Sequence, residues 1–224
     1  MKVKVVILGC FLTLFFVIVT PSLCIKETKP HLSFQRVERS TDLDLFEFSD
    51  SQKQQLKQLF DAIQYHLDFA VEAVDQDGTL FSTWFHPNDA AFVKRKLASI
   101  RSIVTSIYYY YIDESSSADC QVSGGFQPIA YKTKGDDTTI YICPVFFSKP
   151  PLVGTSTGTQ LEAIVHELAH MVLPDEGTDI YGERASKLLA RRPGRASNNA
   201  DNYAYFVRYV NPFHYKWDLS LIHI

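Results

Sequence analysis

The sequence predicts an α+β fold, mostly helical, with a small antiparallel sheet beside the helix that carries His166-Glu167-Leu168-Ala169-His170. Three observations predict it. Apolar residues recur at steps of three and four over residues 50–74 and again over 92–107, the pattern of helices with one buried stripe. β-branched and aromatic residues concentrate in 127–131 and 139–147, and Lys134-Gly135-Asp136-Asp137 between them reads as a hairpin turn. The stretch 159–172 is periodic and apolar, and Pro174 stands just past its end.

In chain order, Lys2 and Lys4 precede an apolar run over 5–19, and small residues follow at Thr20-Pro21-Ser22. A basic start, an apolar run and a small-residue exit read as a signal peptide over residues 1–24. A membrane anchor, the competing reading, needs roughly 20 apolar residues and a basic stop signal after them. This run is shorter and has no such signal. The expectation is a secreted, extracellular protein with no membrane attachment once the leader is removed. Residues 25–47 are polar and aperiodic and read as a lead-in or short pro-segment, leaving 48–224 as one domain.

The formal charge is −3; the leader holds two lysines and no acid, so the remainder is near −5. Such a chain has no electrostatic case for nucleic acid, and a monomer acting on protein or peptide partners is expected. Cys10 lies in the leader and Cys24 at its end, which leaves Cys120 and Cys143 as an even pair. In an oxidising compartment they read as a disulfide worth roughly 3 kcal/mol, with two buried free thiols as the alternative. There is no N-glycosylation sequon.

Asp50 or Ser51 caps the first helix, whose stripe is Leu56, Leu59, Phe60, Ile63, Leu67, Ala70, Val71 and Val74; Asp77-Gly78 ends it with a turn. Asn88 caps the second, built on Phe92, Val93, Leu97, Ile100, Val104 and Ile107. The tyrosine run 108–111 either continues that helix or begins a strand. Lys94-Arg95-Lys96 inside the helix, and Arg191-Arg192 before Pro193-Gly194, read as solvated faces. Two further helices fit at 181–190 and 200–210.

His166 and His170 carry the chemistry. Residues four apart on a helix lie on one face, about 5–6 Å apart at Cβ, so both imidazoles reach one zinc ion. Glu167, one step round the helix, is placed to act on a metal-activated water as general base without being a ligand. The competing reading is a helix with two ordinary histidines. A zinc hydrolase needs a third protein ligand, and the acids downstream are Asp175, Glu176, Asp179, Glu183, Asp201 and Asp218. Asp175 and Glu176 follow the helix too closely for the chain to turn back. Asp179, directly after the Gly177-Thr178 bend, is the first choice; Asp201 is the reserve ligand and Glu183 a third reading. His214 and His223, in the aromatic tail with Phe213, Tyr215 and Trp217, read as ordinary packing or surface residues.

His166-Glu167-Leu168-Ala169-His170, then Gly177-Thr178-Asp179-Ile180-Tyr181-Gly182, then Asn198-Asn199-Ala200-Asp201-Asn202-Tyr203, resemble the deuterolysin and lysine-specific metalloendopeptidase family, the aspzincins. Ile142-Cys143-Pro144 up to Phe147 looks like the family as well. The resemblance implies a zincin-like fold and a zinc metalloendopeptidase holding one Zn2+ per chain. His166, His170 and Asp179 would be its ligands, Glu167 its base, and Tyr181 the hydrogen-bond donor to the tetrahedral oxyanion. Asp201 would sit at the edge of the zinc site or in the S1′ pocket. Two features depart from the family. The spacing Gly-Thr-Asp-x-Tyr-Gly is two residues shorter than GTxDxxYG, and Ala204 stands where lysine-specific members carry a second acid. The competing functional reading is a secreted binding protein or effector that keeps the scaffold without peptidase activity.

Overall fold

Ser49, one residue ahead of the expected caps, starts the longest helix, α1 (Asp50–Gln76). Its hydroxyl accepts the Gln52 N–H at 3.3 Å, and the Gln52 side chain accepts the Ser49 N–H at 2.8 Å, a reciprocal capping box. The predicted stripe is buried from Leu56 to Val74, with Val71 at its margin. Asp77 ends α1 but does not open a loop. Its carboxylate accepts the Leu80 N–H at 2.9 Å and starts α2 (Gly78–Trp84) at once, a helix that the Asp-Gly pair conceals. A single 3-10 turn at Pro87–Asp89, capped by His86, then leads into α3 (Ala90–Ile103), whose N-cap is Asp89 and not the expected Asn88.

The computed structural model describes residues 45–112, 118–121, 128–152, 158–174 and 179–210. The leader, most of the lead-in and the aromatic tail with His214 and His223 lie outside the described residues, as do Asp175, Glu176, Gly177, Thr178 and Asp218. Among the described residues no helix is long and apolar enough to cross a membrane.

The tyrosine run resolves as a strand, β2 (Tyr108–Tyr111). Two strands flank it, β1 (Leu45–Phe46) and β4 (Thr139–Ile142), and β3 (Ala130–Tyr131) closes the order β1-β2-β4-β3. The hairpin β3–β4 is antiparallel as predicted, but β1–β2 and β2–β4 are parallel, so the sheet is mixed. The difference arises because β1 reaches β2 by a crossover through α1, α2 and α3, and parallel neighbours require such a long connection. Leu45 and Phe46, within the segment read as lead-in, thus belong to the sheet. On its outer face Phe46, Tyr110, Tyr141 and Tyr131 line up across all four strands. Phe46 and Tyr110 stack at 4.6 Å, Tyr131 and Tyr141 at 5.1 Å, and these cross-strand pairs fix the register. The inner face presents Tyr109, Ile140 and Ile142 to the helices.

β4 is shorter than the apolar run suggested, because Pro144 cannot donate to a ladder and begins a 3-10 turn at Pro144–Ser148. The next helix is α4 (Gln160–Val172), followed by α5 (Glu183–Leu189) and α6 (Ala200–Tyr209). α4 is buried along most of its length, with Leu161, Ile164, Val165, Leu168 and Ala169 fully enclosed, and packs chiefly on α6. The Arg208 guanidinium bonds Glu162 at 2.5 Å across that contact.

Cys120 and Cys143 are joined, with an S–S distance of 2.07 Å and a sequence separation of 23. Replacing both by Ser is expected to cost about 3 kcal/mol, which for a domain of this size lowers Tm by about 6–12 °C. Thermal unfolding followed by circular dichroism under non-reducing conditions measures it.

Candidate metal centre

α4 is held at both ends. Thr159 caps it, its hydroxyl accepting the Glu162 N–H at 3.1 Å, and the Gln160 amide donates to the carbonyls of Phe146 and Lys149. At the other end the Lys96 ammonium bonds the Val172 carbonyl, a cation where the helix dipole is negative. Between these anchors His166 and His170 project from one face, with ring centroids 4.8 Å apart.

Asp179 meets them from outside the helix. Its Oδ2 lies 2.7 Å from His170 Nε2 and 3.3 Å from His166 Nε2, and the two Nε2 atoms are 3.1 Å apart. A tetrahedral zinc with ligands at 2.0–2.1 Å separates its donor atoms by about 3.3 Å, so this triad fits such an ion. Among the described residues it is the group whose donor atoms, all within 4.8 Å of one another, can hold a metal.

Behind the triad, His166 Nδ1 donates to Asp201 Oδ1 at 2.7 Å, which turns Nε2 towards Asp179 and His170. The other oxygen, Asp201 Oδ2, accepts the Gly182 N–H at 2.7 Å. Gly182 has φ +95°, a conformation in which a side chain is strained, and it is the residue at which the chain turns into α5. That turn explains why α5 begins at Glu183 and not at residue 181. Asp201 therefore backs a histidine and the following loop, with both oxygens engaged. The Glu183 carboxylate is directed away, bonding Lys187 at 2.6 Å and the Tyr209 hydroxyl at 3.0 Å.

Glu167 is buried beside the triad, and its Oε2 accepts the Lys132 backbone N–H at 3.1 Å. Lys132 directly follows β3, one of the sheet's two edge strands, so the hairpin and the motif helix meet at this carboxylate. The Tyr181 ring stacks on His166 at 5.6 Å and 19° while the residue remains 63% exposed, and its hydroxyl interacts with Asp179.

The electrostatics follow from this crowding. Burial penalises a charged His166, but hydrogen bonds to Asp179 and Asp201 outweigh it and push the imidazole up to about 10. Burial also works against an ionised Asp179, yet its bonds to both histidines hold it well below the usual carboxylate range. Burial pushes Glu167 up, opposed by the two histidines and the Lys132 N–H. Burial and then the charges of Asp179, Glu167 and Asp201 push the Tyr181 hydroxyl up to about 12, so at neutral pH it is a donor. The same negative field favours a bound dication.

Asn199 was visible in the sequence as part of a motif, without a role. Its amide pairs with the backbone of Ile180, beside Asp179, at 2.8 and 3.1 Å. Nothing local in the sequence marks that partner, which is 19 positions away.

A zinc peptidase from Grifola frondosa superposes with a TM-score of 0.55 at 25% identity, covering 72% of this chain and 96% of that one. A peptidyl-Lys metalloendopeptidase of Armillaria mellea is 31% identical over 132 residues, 57% of this chain and 34% of the relative. An extracellular protease of Aeromonas hydrophila is 29% identical over 137 residues, 60% of this chain and 37% of the relative. The chain thus spans about a third of the length of the curated relatives it matches. The aspzincin sequence profile, described as lysine-specific metallo-endopeptidase, matches residues 70–208, and the chain, matched over more than half its length, belongs to that family.

Proposed function

We propose that this chain is a secreted, zinc-dependent metalloendopeptidase with one zinc held by His166, His170 and Asp179. The observation that carries the proposal is the convergence of those three donor atoms within 4.8 Å, with the Glu167 carboxylate beside them. Export rests on the leader pattern of residues 1–24, and the domain begins no later than Leu45 and Phe46, which contribute one of the sheet's two edge strands.

Zinc bound there supplies Lewis-acid polarisation of the scissile carbonyl and lowers the pKa of a water to near neutrality. Glu167, steadied by the Lys132 N–H, takes the proton from the attacking water and delivers it to the leaving amine. Asp201 keeps His166 in the tautomer that offers Nε2, an orienting role in place of a reserve ligand. Tyr181 donates its O–H to the oxyanion that develops on the carbonyl. An extended peptide pairs along the hairpin's edge strand, β3, which brings its backbone towards Glu167. Ala204 adds no charge to the S1′ side, so the preference extends beyond lysine.

Casein cleavage by the purified protein, with and without a chelator, tests the proposal. Cleavage that chelator abolishes and added zinc restores is the expected result. Zinc retained with no cleavage would make the chain an inactive scaffold. Tyr181→Phe removes one transition-state donor and is expected to lower kcat about a hundredfold with KM and zinc content unchanged. Steady-state kinetics on a fluorogenic peptide measure that split.

A further inference from the structure

His166 and His170 are fixed by α4, but Asp179 lies on irregular backbone ahead of α5. Its neighbour Ile180 is gripped through both backbone groups by one side chain. The Ile180 N–H donates to Asn199 Oδ1 at 2.8 Å, and Asn199 Nδ2 donates to the Ile180 carbonyl at 3.1 Å. A neighbouring strand would offer the same pattern; here an amide supplies it.

Asn199 is the N-cap residue of α6, where an Asn oxygen ordinarily accepts an N–H of its own helix's first turn. It makes no such bond. The oxygen is turned to Ile180 instead. The amide nitrogen also donates to Asn202 Oδ1 at 2.8 Å, and Asn202 Nδ2 donates to Trp84 O at 2.6 Å and Ser186 O at 2.9 Å. Trp84 closes α2 and Ser186 belongs to α5, so the relay ties the loop to three helices. Asn199 is 3% exposed and Asn202 fully buried, so water does not compete for these bonds.

We infer that Asn199 is a positioning residue for the metal centre: it sets the Ile180 backbone and, through it, holds the Asp179 carboxylate against His166 and His170. The inference rests on the proposal that these three residues hold zinc. If Asn199 served only to satisfy buried polar groups, its loss would weaken the fold generally and leave metal affinity untouched.

The test is Zn2+ affinity by chelator competition on the full chain, alongside amide hydrogen exchange of the metal-free protein. Asn199→Ala is expected to lower Zn2+ affinity 10- to 100-fold, the range for an outer-shell partner. Exchange at Ile180 should quicken at least tenfold while Leu168, in the middle of α4, keeps its protection. Asn199→Asp keeps an oxygen for the Ile180 N–H but no donor for the Ile180 carbonyl or Asn202 Oδ1. It should keep part of that protection and still lower Zn2+ affinity more than threefold, and it replaces the Ala variant, with the same threefold criterion, if that one fails to fold. Zn2+ affinity of Asn199→Ala within threefold of wild type would overturn the inference. So would loss of Ile180 and Leu168 protection together in both variants, which would assign Asn199 to the fold at large. A wild type that binds no Zn2+ overturns the proposed function, and with it the positioning of a ligand, even where Ile180 exchange still responds to Asn199.

Discussion

Glu167→Gln is expected to lower kcat by about a hundredfold to ten-thousandfold with zinc content unchanged. Gln has nearly the shape of Glu, and its amide oxygen can still accept the Lys132 N–H that Glu167 accepts at 3.1 Å. It differs in one respect that matters: it cannot take a proton from water and return it. The variant therefore separates the base from the metal site. Stopped turnover with full zinc assigns the proton transfer to this carboxylate. A kcat within tenfold of wild type would remove Glu167 from that role.

Asp179→Ala is expected to produce the larger loss in binding. Zinc sites of four ligands are worth roughly 10–16 kcal/mol at neutral pH, so one ligand's share corresponds to about a hundredfold to a thousandfold in affinity. Asp201→Asn, which leaves a single oxygen to serve both His166 Nδ1 and the Gly182 N–H, should cost about 10- to 100-fold. Glu183→Ala should leave zinc binding unchanged, because that carboxylate is engaged with Lys187 and Tyr209. Competition with a chelator on the three variants ranks them. Asp201→Asn or Glu183→Ala losing more than Asp179→Ala would reassign the third ligand.

The parts of the fold legible in the sequence are those decided by local periodicity. The α1 stripe and the α4 helix obey a 3.6-residue repeat over many turns, and tertiary packing merely uses the faces already written. Asp77-Gly78 misleads because Asp both ends one helix and caps the next, while Gly78 reads as a turn whichever follows. The parallel sheet was hidden for a different reason. Strand order depends on which distant segments share a face, and Tyr108–Tyr111 has no alternation of its own to announce a neighbour. At the candidate metal centre, the spacing of His166 and His170 is a helical property and is readable directly. Asp179 was favoured by the bend before it, and the structure brings its carboxylate to both imidazoles. The orienting bond of Asp201 and the clamp of Asn199 join residues across long stretches of chain. Their residue types appear in the motif, but their partners become visible only when α6 packs on α4.

The claim on which the rest depends is that the triad holds zinc. Elemental analysis of the purified protein, after metal-replete refolding and exhaustive dialysis, tests it most directly. About one zinc per chain, falling away in Asp179→Ala, is the predicted result. Zinc absent from the wild type under those conditions would contradict the account.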